Sequence, residues 1–348
     1  MIQYKEISIY KEAAISDALK QMDAVKKKLL LVLNKDFTFH SLISIGDIQR
    51  AIIANLPVTT PIYKILRDEV MVAHINDNPE EIKNHIRQKR NDFMPVIDAE
   101  NNIVNIIFWE DLFKERQSAI QFNLPVVIMA GGRGSRLKPL TNVIPKPLIP
   151  INEKTIIEDI MDRFVIHGCH QFYLSINYKA ELIRYYFDNL NNVSYSIDYF
   201  QEEKPLGTAG SLSMLKGKIN QTFFVSNCDI LIDQDYSEIL KYHRENKNDI
   251  TIVAALKHYS IPYGTIETSD NGQLAKLTEK PELTFKINSG MYIIEPNVIN
   301  KVPTDKVFHM TDLIDSMVLS GSKVGVFPVS EGSWEDIGEL RGYLNLIK

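Results

Sequence analysis

Three closely spaced glycines and two cations follow a short apolar segment near the middle of the chain. Gly131, Gly132 and Gly134 permit the main chain to pass close to a ligand and to turn amide N–H groups toward it. Arg136 follows these glycines, and Lys146 stands between two prolines further along. A triphosphate needs its charge neutralised at more than one phosphate, and a loop with a cation at each end provides this. The residues therefore predict a phosphate-binding loop.

The spacing of the glycines separates this loop from two common phosphate-binding motifs. A P-loop carries Gly-Lys-Ser/Thr after four spacer residues, and the dinucleotide fingerprint has the pattern G-x-G-x-x-G. Residues 131–134 have the sequence Gly-Gly-x-Gly instead. Together with the two cations, residues 129–148 resemble the signature of the sugar-1-phosphate nucleotidylyltransferases, the family that makes UDP-, dTDP-, ADP- and GDP-sugars. Ser135 stands in place of the commoner threonine.

The resemblance implies a role for each polar position of the loop. Arg136 would stabilise the departing β- and γ-phosphates, and Lys146 would bind the reacting phosphates. The nucleotide itself would contact five residues: Ala130, Gly131, Gly132, Gly134 and Ser135.

A second segment resembles the part of the family that lines the base and ribose pocket. Residues 206–210 have the sequence Leu-Gly-Thr-Ala-Gly and come after an apolar strand. The resemblance implies nucleotide contacts for Gly207 and Thr208. The other interpretation is a helix start with Thr208 as its N-cap, and the two roles are compatible.

Two acidic residues far apart in the sequence complete the predicted reaction centre. Asp229 ends an apolar strand, and Asp336 follows more than a hundred residues later in a Trp-Glu-Asp-Ile-Gly segment. In the family, these two positions bind the metal, and the position of Asp229 also takes part in catalysis. A site with few protein ligands, all of them oxygen atoms and close to phosphates, suits Mg²⁺. Cys228 replaces the glycine that the family usually has there. Helix capping or pairing with a lysine is the alternative for each carboxylate.

The sugar phosphate would be bound by residues of the later segments. In the family, the position of Glu279 holds sugar hydroxyls and that of Lys280 holds the sugar phosphate. Asn288 and Gly290 would flank the sugar. Gly264, in a Tyr-Gly pair, matches a turn that contacts the sugar, although such a pair also occurs in ordinary bends.

From residue 124 onward, predicted strands alternate with predicted helices. The predicted strands are 126–130, 171–176 and 195–199, and the predicted helices are 156–167 and 179–190. This alternation predicts an α/β fold, a Rossmann-like and mostly parallel sheet that forms a nucleotidyltransferase domain over residues 124–348. Such sheets bind nucleotides at the carboxyl ends of their strands, where the glycine loop lies.

Residues 1–120 contain two similar halves, each with a helix, a strand, a turn and a second strand. In the first half, Ile15, Ala18, Leu19 and Met22 form one apolar helix face. An internal repeat of this size suggests two half-modules that bury a shared face. The pattern resembles a tandem pair of cystathionine-β-synthase-type (CBS) repeats, and predicts a small α+β regulatory domain ahead of the catalytic one.

The CBS resemblance implies an adenosine-nucleotide effector in the cleft between the repeats. Asp47 and Asp111 stand where an acidic residue would hold the ribose hydroxyls. Asp111 fits less well, because Phe108 and Trp109 occupy positions where a hydroxyl residue is usual. Capping of the next helix is the alternative for both aspartates. Because such pairs commonly associate face to face, we also predict a homodimer or a higher oligomer.

Composition excludes several other classes of protein. A net charge of −5 provides no general basic field for a nucleic acid. Two cysteines outside any CxxC pair form neither a disulfide framework nor a structural zinc site, and they fit a reducing compartment. The apolar runs are strand-sized and the N-terminus lacks an apolar signal region, so we predict a cytoplasmic protein that does not enter a membrane.

These motifs together predict Mg²⁺-dependent transfer of a nucleoside monophosphate from an NTP to a sugar 1-phosphate. A CBS pair ahead of such a domain resembles the glucosamine-1-phosphate and mannose-1-phosphate guanylyltransferase-like enzymes of legionaminic-type sugar pathways, which favours GTP. One alternative is a nucleotide-sensing protein with a decayed catalytic domain, and the intact set of charged residues argues against it. The other is a cytidylyltransferase for an acidic sugar, against which the glycine loop and residues 206–210 argue.

Overall fold

The chain folds into two compact units, each combining segments that are distant in the sequence. The computed structural model describes residues 4–89, 92–112, 119–151, 153–190, 194–338 and 343. Unit 1 contains Met1–Ser118, Lys257–Phe285 and Ser330–Gly332. Unit 2 contains Ala119–Leu256, Lys286–Val329 and Ser333–Lys348.

The N-terminal part of unit 1 repeats one order of elements: strand, helix, strand, strand, helix. The first half consists of β1 (Ser8–Tyr10), α1 (Ile15–Val25), β2 (Leu29–Leu33), β3 (Phe39–Ser44) and α2 (Ile45–Ile53). The second half consists of β4 (Ala73–His74), α3 (Pro79–Lys89), β5 (Phe93–Ile97), β6 (Ile103–Phe108) and α4 (Trp109–Leu112). In each half the first strand pairs in parallel with the second, which pairs antiparallel with the third.

The spacing of apolar residues in helix α1 matches the side of the helix that is buried. Its predicted face of Ile15, Ala18, Leu19 and Met22 is at most 3% exposed, and all five residues of the neighbouring strand β2 are buried. Apolar residues three and four positions apart lie on one side of a helix, so burial of that side follows directly from the spacing. The predicted helix face is confirmed.

The remaining elements alternate strands and helices along most of their length. In chain order they are β7 (Val126–Met129), β8 (Pro150–Ile151), β9 (Lys154–Thr155), α5 (Ile156–Val165), β10 (Gln171–Ile176), α6 (Ala180–Asp188), β11 (Ser196–Gln201), α7 (Gly207–Gly210), β12 (Phe223–Asn227), β13 (Ile230–Ile232), α8 (Tyr236–Glu245), β14 (Ile250–Ser260), β15 (Thr265–Thr268), β16 (Leu274–Thr278), β17 (Glu282–Ile294), α9 (Met310–Leu319), β18 (Val324–Val329) and β19 (Trp334–Asp336).

A seven-stranded sheet forms the centre of unit 2, in the order β11-β10-β7-β12-β17-β14-β18. Strand β10 pairs in parallel with β11 and β7, β12 with β7, and β14 with β18, whereas β12 and β17 are antiparallel. The predicted α/β fold with a mostly parallel sheet is confirmed.

Both faces of this sheet are buried. On β7, Val126 and Ile128 belong to one apolar core and Val127 to the other. In the first core, the rings of Phe164, Phe224 and Tyr236 pack with centroids 4.8 to 6.2 Å apart. A sheet covered on both sides leaves the loops at its strand ends as the place for polar chemistry.

Two further features concern the chain as a whole. None of the helices in the described residues has the length and apolar character that crossing a membrane requires. Cys169 and Cys228 are buried free thiols, and burial raises the pKa of each to about 12. Both thiols are therefore protonated at neutral pH.

Candidate active site

The glycine loop follows β7 and folds back toward the second cation. Gly134 has a φ of 60°, and a Cβ there would lie 2.8 Å from Cγ2 of Thr141 and 3.0 Å from Cβ of Lys146. The hydroxyl of Thr141 donates a hydrogen bond to the carbonyl of Gly134 at 2.9 Å. Glycine is required here for two reasons, the left-handed backbone and the close approach of Lys146.

Lys146 is bound directly to the first predicted metal carboxylate. It begins a short 3₁₀ turn, Lys146–Leu148, and its ammonium group donates a hydrogen bond to Oδ2 of Asp229. The two side chains are only 10% and 13% exposed. The pairing with a lysine that the sequence left open for Asp229 is therefore present in the structure.

The second carboxylate reaches the same place through a pair of short strands. Strands β13 and β19 are antiparallel, with Ile230 opposite Asp336. A Cβ on Gly338 would lie 2.6 Å from Oδ1 of Asp336 and 2.9 Å from Oδ2 of Asp229. It would lie 3.2 Å from Nη2 of Arg136. Two carboxylates and a guanidinium from three distant segments therefore converge on one glycine.

This donor set fits a magnesium ion. Mg²⁺ prefers oxygen ligands and usually keeps several waters, binding through one or two carboxylates together with substrate phosphates. Asp229 and Asp336 provide two such carboxylates at one point. Among the described residues, no group of three His, Cys, Asp or Glu side chains could hold a metal. With two carboxylates, the other ligands of such an ion would be water and phosphate oxygens.

A cavity of about 370 Å³ is lined by Asp229 and Gly338, whereas Asp336 is not among its lining residues. This volume lies in the range of small-molecule sites. Nine of the predicted residues line it: Gly131, Gly132, Gly134, Ser135, Arg136, Lys146, Gly207, Thr208 and Asp229. Ala130 differs, because it is 1% exposed and packs in the apolar core, and its N–H donates to the carbonyl of Ser175 at 2.9 Å.

The cavity also includes polar residues that the sequence analysis missed. Ser175, Glu202 and Asn227 line it, near the carboxyl ends of β10, β11 and β12. The rule that α/β sheets bind ligands at these strand ends was the signal that could have identified them.

Thr208 has a different structural role from the N-cap that the sequence suggested. Helix α7 begins at Gly207 with Leu206 as its N-cap, so that alternative is wrong. The hydroxyl of Thr208 instead accepts a hydrogen bond from the N–H of Met310, the first residue of α9, at 2.9 Å. Gly207 has a φ of 82°, and a Cβ there would lie 2.6 Å from the carbonyl oxygen of Phe308. The α7 segment is therefore held against the start of α9.

The predicted sugar-binding residues fall into two groups. Gly264, Glu279 and Lys280 lie in unit 1, where a Cβ on Gly264 would be 3.0 Å from Oε2 of Glu279. Asn288 and Gly290 lie in unit 2, and the side chain of Asn288 accepts a hydrogen bond from the N–H of Gly290 at 3.1 Å.

Gly290 lies against a residue that lines the cavity. It has a φ of 88°, and a Cβ there would lie 2.5 Å from Nδ2 of Asn227, a residue of the cavity. A side chain at this position would displace that amide, so the glycine is required by its neighbour as well as by its backbone.

Asp47, the candidate effector ligand of unit 1, is engaged by its own surroundings. The N–H and hydroxyl of Ser44 donate to its Oδ2 at 2.8 and 2.7 Å, and Nε of Arg67 donates to its Oδ1 at 2.7 Å. Burial alone would raise the pKa of Asp47, but the hydrogen bonds from Arg67 and Ser44 hold it below the ordinary value. The capping alternative matches this geometry, with Ser44 as the N-cap of α2 and Asp47 as its partner.

The other candidate ligand, Asp111, belongs to α4, and its side chain lies outside the described residues. Unit 1 also contains a cavity of about 470 Å³. Its lining combines Arg67 with the apolar side chains of Leu29, Leu42 and Met71. Glu69 also lines this cavity, which therefore presents one cation and one carboxylate beside an apolar wall.

Comparison with known proteins identifies the class to which this fold and site belong. Residues 125–348 match the nucleotidyl transferase family, and the chain belongs to that family. The predicted family membership is confirmed.

Two relatives have the names of nucleotidyltransferases that use sugar 1-phosphates. The chain is similar to a UTP–glucose-1-phosphate uridylyltransferase of Synechocystis, with 32% identity over 245 residues, 65% of this chain and 63% of the relative. It is similar to a mannose-1-phosphate guanylyltransferase of Mycobacterium tuberculosis, with 29% identity over 230 residues and 64% of both chains. The chain therefore spans less than two thirds of the length of these relatives.

One solved structure is also similar to this chain. HddC from Yersinia pseudotuberculosis, complexed with GMP-PN, has a TM-score of 0.51 and 27% identity. The match covers 64% of this chain and 98% of HddC.

Proposed function

We propose that the protein transfers a nucleoside monophosphate from an NTP to a sugar 1-phosphate and releases pyrophosphate. The observation that carries this proposal is the convergence of Arg136, Asp229 and Asp336 on Gly338, with Lys146 bound to Asp229 in the same cavity. A pocket with this mixture of charges can hold two anions that repel each other in water, which is the main requirement of the reaction.

The proposed chemistry is a single in-line displacement. An oxygen of the sugar 1-phosphate forms a bond to the α-phosphorus, and the bond from that phosphorus to the β-phosphate oxygen breaks. Pyrophosphate leaves with the electron pair. The attacking phosphate is already an anion near neutral pH, so no general base is needed. Arg136 and Lys146 neutralise charge on the phosphates, and the glycine loop orients them through main-chain N–H groups.

Mg²⁺ is the proposed cofactor, held by Asp229 and Asp336. When bound, it would supply positive charge that offsets the mutual repulsion of the phosphates. In the structure Lys146 occupies part of the Asp229 carboxylate. We propose that the same ammonium group contacts the phosphates when the substrates bind.

GTP is the proposed donor. Several relatives are named mannose-1-phosphate guanylyltransferases, and HddC was solved with GMP-PN, which supports this choice. The uridylyltransferase of Synechocystis makes UTP the competing donor. The sugar-phosphate roles of Gly264, Glu279 and Lys280, and separately those of Asn288 and Gly290, stay predictions.

Pyrophosphate release tests this function directly. The purified chain would be supplied with each of GTP, UTP, ATP, CTP and dTTP, together with mannose, glucose or glucosamine 1-phosphate. We expect release that needs both substrates and Mg²⁺ and is greatest with GTP. Absence of release with every pair of substrates would show that the proposal is wrong.

Residues 1–120 are proposed to form a CBS-type regulatory module that binds an adenosine nucleotide and associates with a second copy. The cavity lined by Arg67 in unit 1 supports a binding role for this region. Thermal unfolding of the chain with AMP, ADP and ATP would detect the ligand, and sedimentation would give the oligomeric state. No shift with any of the three nucleotides would contradict the effector, and a monomer with normal turnover would contradict the oligomer. The cytoplasmic location stays a prediction.

A further inference from the structure

Residues 257–285 pack with the N-terminal residues in unit 1, although they lie inside the region that matches the nucleotidyl transferase family. Within this segment, residues 261–281 form an arm that contains the paired strands β15 and β16. The N–H of Ile261 donates to the carbonyl of Pro281 at 3.0 Å and closes the base of the arm. Three of the residues predicted to hold the sugar phosphate lie in this arm: Gly264, Glu279 and Lys280.

The chain enters the arm from β14 and leaves it into β17, and the two strands are joined beside its base. Nδ1 of His258, in β14, shares a hydrogen bond with the hydroxyl of Thr284, in β17, at 2.9 Å. Because both strands continue directly into the arm, whatever fixes them also fixes the position from which the arm extends.

Each of these strands is bound by a charged side chain from another segment of unit 1. On β14, the carboxylate of Glu331 accepts hydrogen bonds from the ammonium group of Lys257 and, at 3.0 Å, from the N–H of His258. On β17, the ammonium group of Lys20, in helix α1, donates to Oε2 of Glu282 at 2.6 Å. The base of the arm is therefore held from both sides.

Asp23, on the same helix as Lys20, binds the residues on either side of Glu331. Its Oδ1 accepts from the hydroxyl of Ser330 at 2.7 Å, and its Oδ2 accepts from the N–H of Gly332 at 3.0 Å. A Cβ on Gly332 would lie 2.7 Å from Oδ1 of Asp23, so this turn packs directly on the carboxylate. Helix α1 therefore holds one strand through Lys20 and the other through the turn that contains Glu331.

The position of Asp23 within α1 does not favour the helix itself. The helix ends at Val25, so Asp23 lies in its last turn. A negative charge there opposes the helix dipole, at a cost of about 0.3–1 kcal/mol. The two hydrogen bonds to Ser330 and Gly332 offset this cost, and they are made to residues more than 300 positions further along the chain.

We infer that Asp23 is a positioning residue for the sugar 1-phosphate, acting through the turn of residues 330–332 and the base of the arm. This inference rests on the proposed function and on the sugar-phosphate roles predicted for the arm. The residues predicted to contact the nucleotide, 130–136 and 207–208, belong to unit 2 instead. Loss of the anchor should therefore weaken use of the sugar phosphate more than use of the NTP.

Asp23→Ala in the full chain tests this role by steady-state pyrophosphate release. The second substrate would be whichever of mannose, glucose and glucosamine 1-phosphate the wild type turns over fastest. We expect KM for the sugar phosphate to rise about 10-fold and KM for the NTP to change less than about 2-fold, because a displaced arm misplaces only the groups that it carries. Loss of folded protein would instead lower the apparent kcat and leave both KM values unchanged.

Asp17→Ala is the matched control on the same helix. The carboxylate of Asp17 is exposed and accepts a hydrogen bond from the N–H of Ala14 at 3.0 Å, at the start of α1. Its removal weakens the helix and spares the contacts of Asp23 and Lys20. Both KM values should therefore stay at the wild-type level.

A charge exchange at the other strand provides a second, independent measurement. Lys20→Glu places two carboxylates opposite each other, and we expect KM for the sugar phosphate to rise about 3-fold, the scale of a partly exposed ion pair. Adding Glu282→Lys restores the pair with its charges exchanged and should return KM to the wild-type value. Failure of the double variant to recover would show that this contact does not position the arm.

The outcomes separate this inference from the proposed function. A folded Asp23→Ala protein with an unchanged KM for the sugar phosphate, or with equal increases in both KM values, overturns the role of Asp23 and leaves nucleotidyl transfer intact. If Asp23→Ala does not fold, the charge exchange at Lys20 and Glu282 decides. Absence of turnover in the wild type with every pair of substrates contradicts the proposed function, and the inference with it.

Discussion

Two carboxylates, one in each unit, are almost completely buried and are each bound by a cation. Asp47 in unit 1 is bound by Arg67, and Asp229 in unit 2 is bound by Lys146. A cavity lies beside each pair, lined in part by Arg67 in unit 1 and by Lys146 and Asp229 in unit 2. Both pairs join a buried aspartate to a cation, but the side chain of Arg67 is 53% exposed whereas that of Lys146 is only 10% exposed.

Their surroundings differ. Asp47 accepts five hydrogen bonds, two of them from Ser44 and three from the guanidinium groups of Arg50 and Arg67. This exceeds the four acceptor positions of a carboxylate, so the group is saturated and stabilises the start of a helix. Asp229 instead shares its site with a second carboxylate and a guanidinium around Gly338. An ion pair therefore indicates a reaction centre when a second carboxylate shares its site, and structural support when cations and hydrogen-bond donors fill every acceptor position of its one carboxylate.

The largest expected effect comes from removing the cation of the unit 2 pair. Lys146→Ala should lower kcat for pyrophosphate release about 10²- to 10³-fold, because one electrostatic contact to the reacting phosphates is lost. Lys241→Ala, on the exposed side of α8, is the control and should leave kcat unchanged. Near-normal turnover in Lys146→Ala would remove the distinction between the two pairs.

Removing the carboxylate of the unit 1 pair should affect stability. Asp47→Ala leaves the N-terminus of α2 and two arginines without their acceptor, and we expect unfolding of unit 1 to become easier by about 2–4 kcal/mol. Chemical denaturation followed by circular dichroism would measure this. Asp68→Ala, an exposed neighbour of Arg67, should change the unfolding free energy by less than about 0.5 kcal/mol. Equal effects of the two substitutions would mean that Asp47 does not have the structural role assigned to it.

A smaller effect is expected where the charges of unit 2 converge. Gly338→Ala places a methyl group within 3 Å of both carboxylates, so one of them must move. We expect kcat to fall about 10-fold, the effect of a small misplacement of catalytic groups. Gly46→Ala in α2 is the control, because a Cβ there meets its nearest atoms at 3.5 Å and fits without displacement. Full activity in Gly338→Ala would show that the carboxylate positions are not critical.

The smallest expected effect is the pH dependence of the unit 1 pair. The pKa of Asp47 is lower in the folded chain than its ordinary value of 3.8. Its charged form therefore stabilises the fold above the pKa of the unfolded chain, and this stability is lost as the pH falls through the folded pKa. The difference in unfolding free energy between wild type and Asp47→Asn should be constant near pH 7 and shrink below about pH 4. A difference that does not change over this range would contradict the shift.

Several features of the molecule could be predicted from short stretches of sequence. The α1 face and the strand of residues 171–176 follow from the periodicity of apolar residues, which depends only on local backbone geometry. The glycine loop was also predictable, because the need for a left-handed residue at Gly134 and for cations beside phosphates is visible in neighbouring residues.

Other features depended on contacts between distant segments. Strands β13 and β19 bring Asp336 beside Asp229, and the start of α9 gives Thr208 a hydrogen-bond partner that its own helix does not provide. Arg67 saturates Asp47 from twenty residues away. No local pattern specifies which of many acids and bases will meet, because their pairing depends on the packing of whole elements.

By itself, the sequence determined the family, the class of fold and the identity of the phosphate-binding loop, because each rests on the local spacing of residue types. Tertiary structure alone decided which carboxylates share a site and which are saturated. It also decided that Glu202, one of two adjacent glutamates, is the one buried in the cavity wall. The physical reason is that burial and convergence of charge are set by the packing of distant segments.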